Sequence, residues 1–516
     1  MKPSLPTILQ QAYLFFRSHP IILSILITLS LLLLYSTTRR GGKVVINWPI
    51  FGMFPSLITN NHRLLDFSAD LLRESDYTFS FKGPWLLGMD FILTCDPNNA
   101  NHMFNLHFSN YPKGQEFSEI FDILGNGIFN VNGDSWTDQR KMAHAFMSTR
   151  RFRSHVGEST KVKVTRVVLP LLNHIAEIDK VVDLSDVFMR FTFDTTCALV
   201  LGVDPGCLSF EFPSIPFAKA LEHIEEVLLY RHTVPMAWWK LLRRLNLGEE
   251  KKMAEAIMVV DEFIGQCIRE RRESAQKIDN EEEFTDLLAS YIGHSDDKFL
   301  RDTLLTFLGA GKDTTGAALV WLFWLVANSP DVERKILEEL VSLRPRDTSM
   351  NGDMTVFDAE ETDTLVYLHA VLCETLRLYP SVPFNHKEAL DSDLLPCGHK
   401  VRPRTKIIFH MYAMGRMKGI WGKDCLEFRP ERWITEKGTL KHEPSYKFIA
   451  FHSGPRSCLG KSTAFTQIKS MVAAIMYNFR VQVVDGHVVE PKISIVIQAK
   501  NGLMVKLKKR EVKERY

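Results

Sequence analysis

The chain opens on an uncharged apolar run, residues 21–38, dominated by Ile and Leu. As a helix its 18 residues would reach about 27 Å, close to the hydrocarbon thickness of a thin bilayer. Lys2 and Arg17 precede the run, and Arg39, Arg40 and Lys43 follow it. That bias predicts an uncleaved membrane anchor over residues 1–40, with everything after it in the cytosol. The competing reading is a cleaved signal peptide. Basic residues stand where its small-residue cleavage site should lie, which argues against it.

After the anchor comes Trp48-Pro49-Ile50-Phe51-Gly52-Met53-Phe54-Pro55, where two prolines bracketing a glycine predict a stiff turn. Helical periodicity dominates from about residue 60 to 480. Strand-like patterns are confined to residues 401–410 and the alternating tail over 493–507. Polar stretches at 277–283 and 344–363 read as surface loops, too short for domain linkers. The expectation is one mainly α domain with small β-sheets over residues 41–516, preceded by a transmembrane helix. Residues 234–244 combine Trp238 and Trp239 with Lys240, Arg243 and Arg244. This suits either a lipid-headgroup interface or a helix packing both indoles inward.

Composition adds two exclusions. With 45% hydrophobic and 24% charged residues, the 516-residue chain can build a large core. A net charge of +2 without a Lys/Arg stripe gives no nucleic-acid footprint. Eight cysteines lie scattered with no C-x-x-C pair, so a zinc ribbon or dithiol centre is not expected.

One cysteine stands in a distinctive frame: Phe451-His452-Ser453-Gly454-Pro455-Arg456-Ser457-Cys458-Leu459-Gly460. It matches F-x-x-G-x-R-x-C-x-G at every fixed position. The segment resembles the haem-binding loop of cytochromes P450. In that reading the Cys458 thiolate is the axial ligand of a haem b iron, donating electron density that favours O–O cleavage. Gly454 and Gly460 allow a tight turn with amide N–H groups near the sulfur. Arg456 supplies a cation for a haem propionate, and Phe451 belongs to the same cofactor loop.

Other segments match the family in its required order. Trp136-Thr137-Asp138-Gln139-Arg140 fits W-x-x-x-R, placing Trp136 and Arg140 one helical turn apart and within reach of a propionate. Ala310-Gly311-Lys312-Asp313-Thr314-Thr315, inside an apolar helix predicted over 304–326, resembles the oxygen-binding segment. There Gly311 would leave room for O₂, Asp313 and Thr314 would relay protons, and Lys312 would turn away from the haem. Glu374-Thr375-Leu376-Arg377 gives E-x-x-R, and Phe428-Arg429-Pro430-Glu431-Arg432-Trp433 resembles the P-E-R-F segment. Arg432 would join Glu374 and Arg377 in a buried structural network, tolerable only if every member is satisfied. The resemblance covers residues 48–460.

The resemblance implies a monooxygenase that inserts one atom of O₂ into substrate, with NADPH electrons delivered by a cytochrome P450 reductase at the endoplasmic reticulum membrane. Lys141, Lys447 and Lys461 are candidate docking cations. A hydroperoxide isomerase or a haem sensor would share Cys458 but need not keep Thr314. Phe129, Phe193, Ala310, Val382 and Phe384 fall at substrate-contacting positions, and His386 at a cofactor-contacting one. Arg190-Phe191-Thr192-Phe193-Asp194, Asn385-His386-Lys387 and Trp421-Gly422-Lys423-Asp424 resemble the plant hydroxylases of fatty acids and long-chain alkanes. A fatty chain is therefore the leading substrate expectation, with a terpenoid or other specialised lipophile as the alternative.

Overall fold

The computed structural model describes residues 45–510 except 86, 276–284, 294 and 345–353. The expected anchor and the loop at 277–283 lie outside the described residues. Among those described, no helix is long and apolar enough to cross a membrane.

Ten helices frame the site: α1 (Leu64–Glu74), α2 (Gly133–Met147), α3 (Leu184–Leu201), α4 (Pro216–Thr233), α5 (Met236–Leu245), α6 (Gly248–Ala275), α7 (Asp297–Ala327), α8 (Pro330–Leu343), α9 (Val366–Leu378) and α10 (Lys461–Asn478). The axis of the fold is α7. Asp296 caps its start by accepting from the Phe299 N–H, and its apolar middle is buried almost all round. A helix apolar on every face must be enclosed. It lies against α3, where Phe188 stacks on Phe323 at 5.1 Å between ring centres, and the main core is completed by α8, α9 and α10.

A four-stranded sheet forms a second wall from β1 (Thr78–Phe81), β2 (Phe91–Thr94), β4 (Phe384–Glu388) and β5 (Lys406–His410), in the order β1-β2-β5-β4. Only β2 and β5 run parallel, with Ile92 opposite Ile407. A smaller sheet joins β3 (Val182–Asp183), β7 (Met504–Lys509) and β6 (Phe479–Val483).

Three sequence expectations change. Strands β1, β2 and β4 interrupt the stretch assigned to helices; at four or five residues each they are too short for periodicity to register. The strand expected over 401–410 is broken into Lys400–Val401 and Lys406–His410, with Arg404 at φ 64° in the turn between them. The polar stretch after 344 is not all loop: Ala359–Asp363 is helical, fixed by a capping box between Asp358 and Glu361.

Helix α5 separates the paired tryptophans. Trp239 is buried, with Arg231 and Arg243 over its ring at 4.8 and 4.9 Å. Trp238 is half exposed beside Leu241 and Leu245. Inward packing thus holds for Trp239 and not for Trp238.

Candidate active site

Cys458 lies in the loop entering α10, its N–H donating to the Phe451 carbonyl at 2.8 Å. Gly454, at φ 71°, turns the chain so closely beneath the Phe104 carbonyl that a Cβ would stand 1.8 Å from that oxygen. No side chain is tolerated there. A Cβ on Gly460 would come to 4.0 Å from the Cys458 sulfur. Phe451 packs at 5.4 Å against Phe465 of α10. Six of the other seven cysteines are buried. Cys458 is exposed, and the space it faces is internal: a cavity of about 1070 Å³. Burial raises its thiol, while the Gly460 N–H, Arg140 and Lys461 pull it back toward the thiolate.

The same cavity collects cations that have no acid to answer them. Arg456 donates to the Val131 carbonyl at 2.7 Å and the Asn132 side chain at 2.9 Å, and lies 4.8 Å over the Trp136 ring. Its buried Nε has no partner, nor has Nε2 of His386. Arg140 reaches Ser457 at 3.3 Å. Among the described residues no carboxylate is ion-paired with Arg140, Arg456 or Lys113, all of which line the cavity. Burial, with Arg456 adding repulsion, pushes Lys113 down to about 7. Burial and Arg140 push Arg456 down to about 10, and burial with Lys406, His232 and Lys113 drives His386 well below its ordinary value. Uncompensated buried charge of one sign is costly. A flat cofactor that brings two carboxylates to these cations and a metal to the sulfur removes the cost. The residues present therefore fit a haem.

Over the opposite wall, Ala310 and Thr314 of α7 line the cavity. The Thr314 hydroxyl donates to the Ala310 carbonyl at 2.7 Å, and the Thr314 carbonyl accepts from Ser381 at 2.7 Å. Asp313 is buried and points elsewhere. One carboxylate oxygen meets Lys312 Nζ at 3.0 Å, and the other makes no well-formed hydrogen bond. Burial alone would raise Asp313, but Lys312 and the neighbouring Glu225 carboxyl of α4 hold it below the ordinary carboxylate value. Lys312 is turned from the cavity yet enclosed in protein, which the sequence did not indicate. Gly311 lines the cavity and also has a packing role. A Cβ there would meet Thr196 of α3 at 2.8 Å, so the missing side chain lets two helices approach.

Beneath α10, Glu374 accepts from Arg377 at 2.7 and 2.8 Å, from Trp433 at 2.9 Å and from the Arg429 N–H at 3.0 Å. Arg432 lies 3.4 Å away and donates to the Trp421 carbonyl at 2.8 Å. Arg377 also holds the Cys425 and Glu427 carbonyls at 2.6 and 2.9 Å. Every charge here is answered, and the segment leading to the cysteine loop is tied to α9.

Of the apolar residues expected to meet substrate, Phe129, Ala310, Val382 and Phe384 line the cavity. Phe193 does not. It faces the other side of α3 and packs at 5.6 Å on Phe217 of α4. Sequence reasoning missed Lys113, His232 and Glu225, which belong to no motif and reach the cavity only through the fold. His232 is pushed down to about 4 by burial and by Lys406.

Similarity to known sequences extends along the whole domain. A family model described as Cytochrome P450 matches residues 43–507. The chain is 49% identical over 486 residues to noroxomaritidine synthase of Narcissus aff. pseudonarcissus MK-2014, covering 93% of this chain and 94% of the relative. It is 43% identical over 481 residues to cytochrome P450 86B1 of Arabidopsis thaliana, covering 90% and 86%. Alkane hydroxylase MAH1 of the same plant is 40% identical over 482 residues, covering 91% and 94%.

Proposed function

The chain belongs to the cytochrome P450 family, and from that premise we propose that it hydroxylates a long-chain fatty acid or alkane. The family makes it an oxidoreductase that uses haem-thiolate iron, O₂ and electrons supplied by a reductase. The observation that carries the substrate reading is the cavity itself. It runs from Cys458 past Ala310, Val382 and Phe384 to Phe54, Leu57 and Ile58 near the N-terminal turn, and its walls are mostly apolar. Such a channel suits an extended hydrocarbon that gains by leaving water along its length.

When bound, the haem supplies the activation of O₂ and the insertion of one oxygen atom into a C–H bond. The protein's share is to hold and to deliver. Arg140, Arg456, Trp136, Lys113 and His386 would fix the cofactor's carboxylates, and Cys458 its metal. The apolar walls would keep water from the reacting carbon. Thr314, and Asp313 behind it, would supply protons from the wall facing the sulfur.

Around the turn, Ile50, Phe51, Ile58 and Trp85 are exposed, with Trp85 at 82%. Together with the apolar run at 21–38, they support a single-pass anchor in the endoplasmic reticulum membrane. The cavity would then open towards lipid, and an NADPH-cytochrome P450 reductase would approach from the cytosol.

A second reading, hydroxylation of a specialised lipophile, is favoured by the higher identity to noroxomaritidine synthase than to the two Arabidopsis relatives. A spin-shift binding screen decides between them. Medium- to very-long-chain acids, alcohols and alkanes should bind and be hydroxylated. Binding confined to ring-containing lipophiles would replace the first reading with the second.

A further inference from the structure

Asp313 is not an isolated acid. It is enclosed with Lys312 on its own helix, next to Glu225 of α4, which lines the cavity. The charges do not balance: two carboxyl groups face one ammonium. Lys312 Nζ is 3.0 Å from Asp313, and both side chains are almost wholly buried. In so dry a site two adjacent carboxylates cannot both stay ionised, so the pair retains a proton. Asp313 has the ammonium within hydrogen-bonding distance, which leaves the proton on Glu225. The charged groups facing Glu225 are Asp313 and Lys312 across the interface and Glu222 on its own helix. Burial first, then Asp313, raises the Glu225 carboxyl well above the ordinary range.

Geometry makes this more than a neutralised pair. Glu225 is partly exposed, and the cavity is what it is exposed to. Glu222 precedes it by three residues, on the same face of α4, and is exposed. Three acidic groups, Glu222, Glu225 and Asp313, thus lie between the surface and the helix that presents Thr314 to the cavity.

We propose that Glu225 is the proton donor that recharges Asp313 in each catalytic cycle, with Glu222 admitting protons from solvent. This rests on the monooxygenase reading, though not on the identity of the substrate. The balance closes: each insertion of oxygen consumes O₂, two electrons from the reductase and two protons, and yields hydroxylated product and one water. Each proton passed on through Asp313 comes from Glu225, and Glu225 regains one through Glu222. The carboxyl pair ends the cycle as it began.

The test uses full-length, haem-loaded protein. In substrate-free enzyme, infrared spectroscopy should show a carboxylic-acid carbonyl band that persists at neutral pH and disappears in Glu225→Gln. This readout needs neither turnover nor the right substrate. With any substrate the wild type oxidises, Glu225→Gln should slow turnover about tenfold and raise the solvent deuterium isotope effect. It should leave the binding constant unchanged and remove the alkaline fall of the pH–rate profile. Glu225→Asp should restore part of the rate, and Glu222→Gln, at the surface where folding is not at risk, should slow turnover to a smaller degree. A carbonyl band that survives Glu225→Gln overturns the proposal, as does a wild-type pH profile in that variant, which would make Glu225 only a counter-charge to Lys312. Should Glu225→Gln fail to take up haem, an unchanged rate and isotope effect in Glu222→Gln would overturn it equally.

Discussion

The Thr314 hydroxyl donates to the Ala310 carbonyl, 2.7 Å away and one turn back in α7. This bond is ordinary for a threonine in a helix, yet the residue also lines the cavity. Packing alone and proton delivery make different predictions for its removal. With delivery, Thr314→Ala should still bind substrate and accept electrons, but NADPH should yield peroxide in place of product. A drop of at least about tenfold in product per NADPH is expected, given the 10²–10⁴-fold typical of proton-transfer groups. Thr314→Ser should keep much of the coupling. Full coupling in Thr314→Ala would reduce the residue to helix packing and reopen the isomerase and sensor readings.

Glu374 answers three arginine or tryptophan side chains and a backbone N–H at once. Glu374→Gln should leave Arg377 as a buried cation without its counter-charge. The expected cost is about 3–5 kcal/mol, seen as a lower urea midpoint and poor haem retention. A variant with the wild-type midpoint would mean the network contributes no stability.

Acid should weaken the fold before its carboxylates titrate. Burial, with Lys469 and Lys461, holds His369 down at about 4. Burial likewise holds His410 at about 3. In the unfolded chain each takes up a proton near 6.5. The unfolded state therefore binds more protons below that value. Stability contributed by the neutral rings is fully present above pH 6.5 and is lost as pH falls towards 4, by about 1.4 kcal/mol per pH unit for each group. Urea midpoints measured across this window should fall accordingly. His369→Phe, which keeps the ring against Phe465, should flatten the slope by one group's share; an unaltered slope would exclude His369 as a contributor.

How much of this could be read beforehand depended on whether the chemistry fixes a spacing. The Cys458 loop, Trp136 with Arg140, and Glu374 with Arg377 are local patterns, because a ligand loop or one helical turn sets their separation. Lys113, His232 and Glu225 are single residues in segments without a motif, and only the packing of α4 and β4 over the cavity brings them to the site. Phe129 and Phe193 look alike in sequence. The facing of α3 puts Phe193 against Phe217, while Phe129, in the loop before α2, reaches the cavity. The short strands at 78–81 and 91–94 carry too few residues to declare a period; they pair with each other, and the second also pairs with the distant β5.

The membrane proposal has its own check. Removal of residues 1–40 should leave a haem-loaded protein that binds membranes loosely through Ile50, Phe51, Trp85 and Trp238, all exposed. Release by a carbonate wash is the expected result. Retention after the wash would put the anchor elsewhere in the chain.

Everything above turns on the sulfur of Cys458, and the carbon monoxide difference spectrum of the reduced protein tests it most directly. Wild type should give the red-shifted band of a thiolate-ligated haem, because only a thiolate donates that much electron density to the iron. In Cys458→His the haem should bind with that band absent, replaced by the shorter-wavelength absorption of an imidazole-ligated haem. A thiolate-type band that persists in Cys458→His would contradict the account.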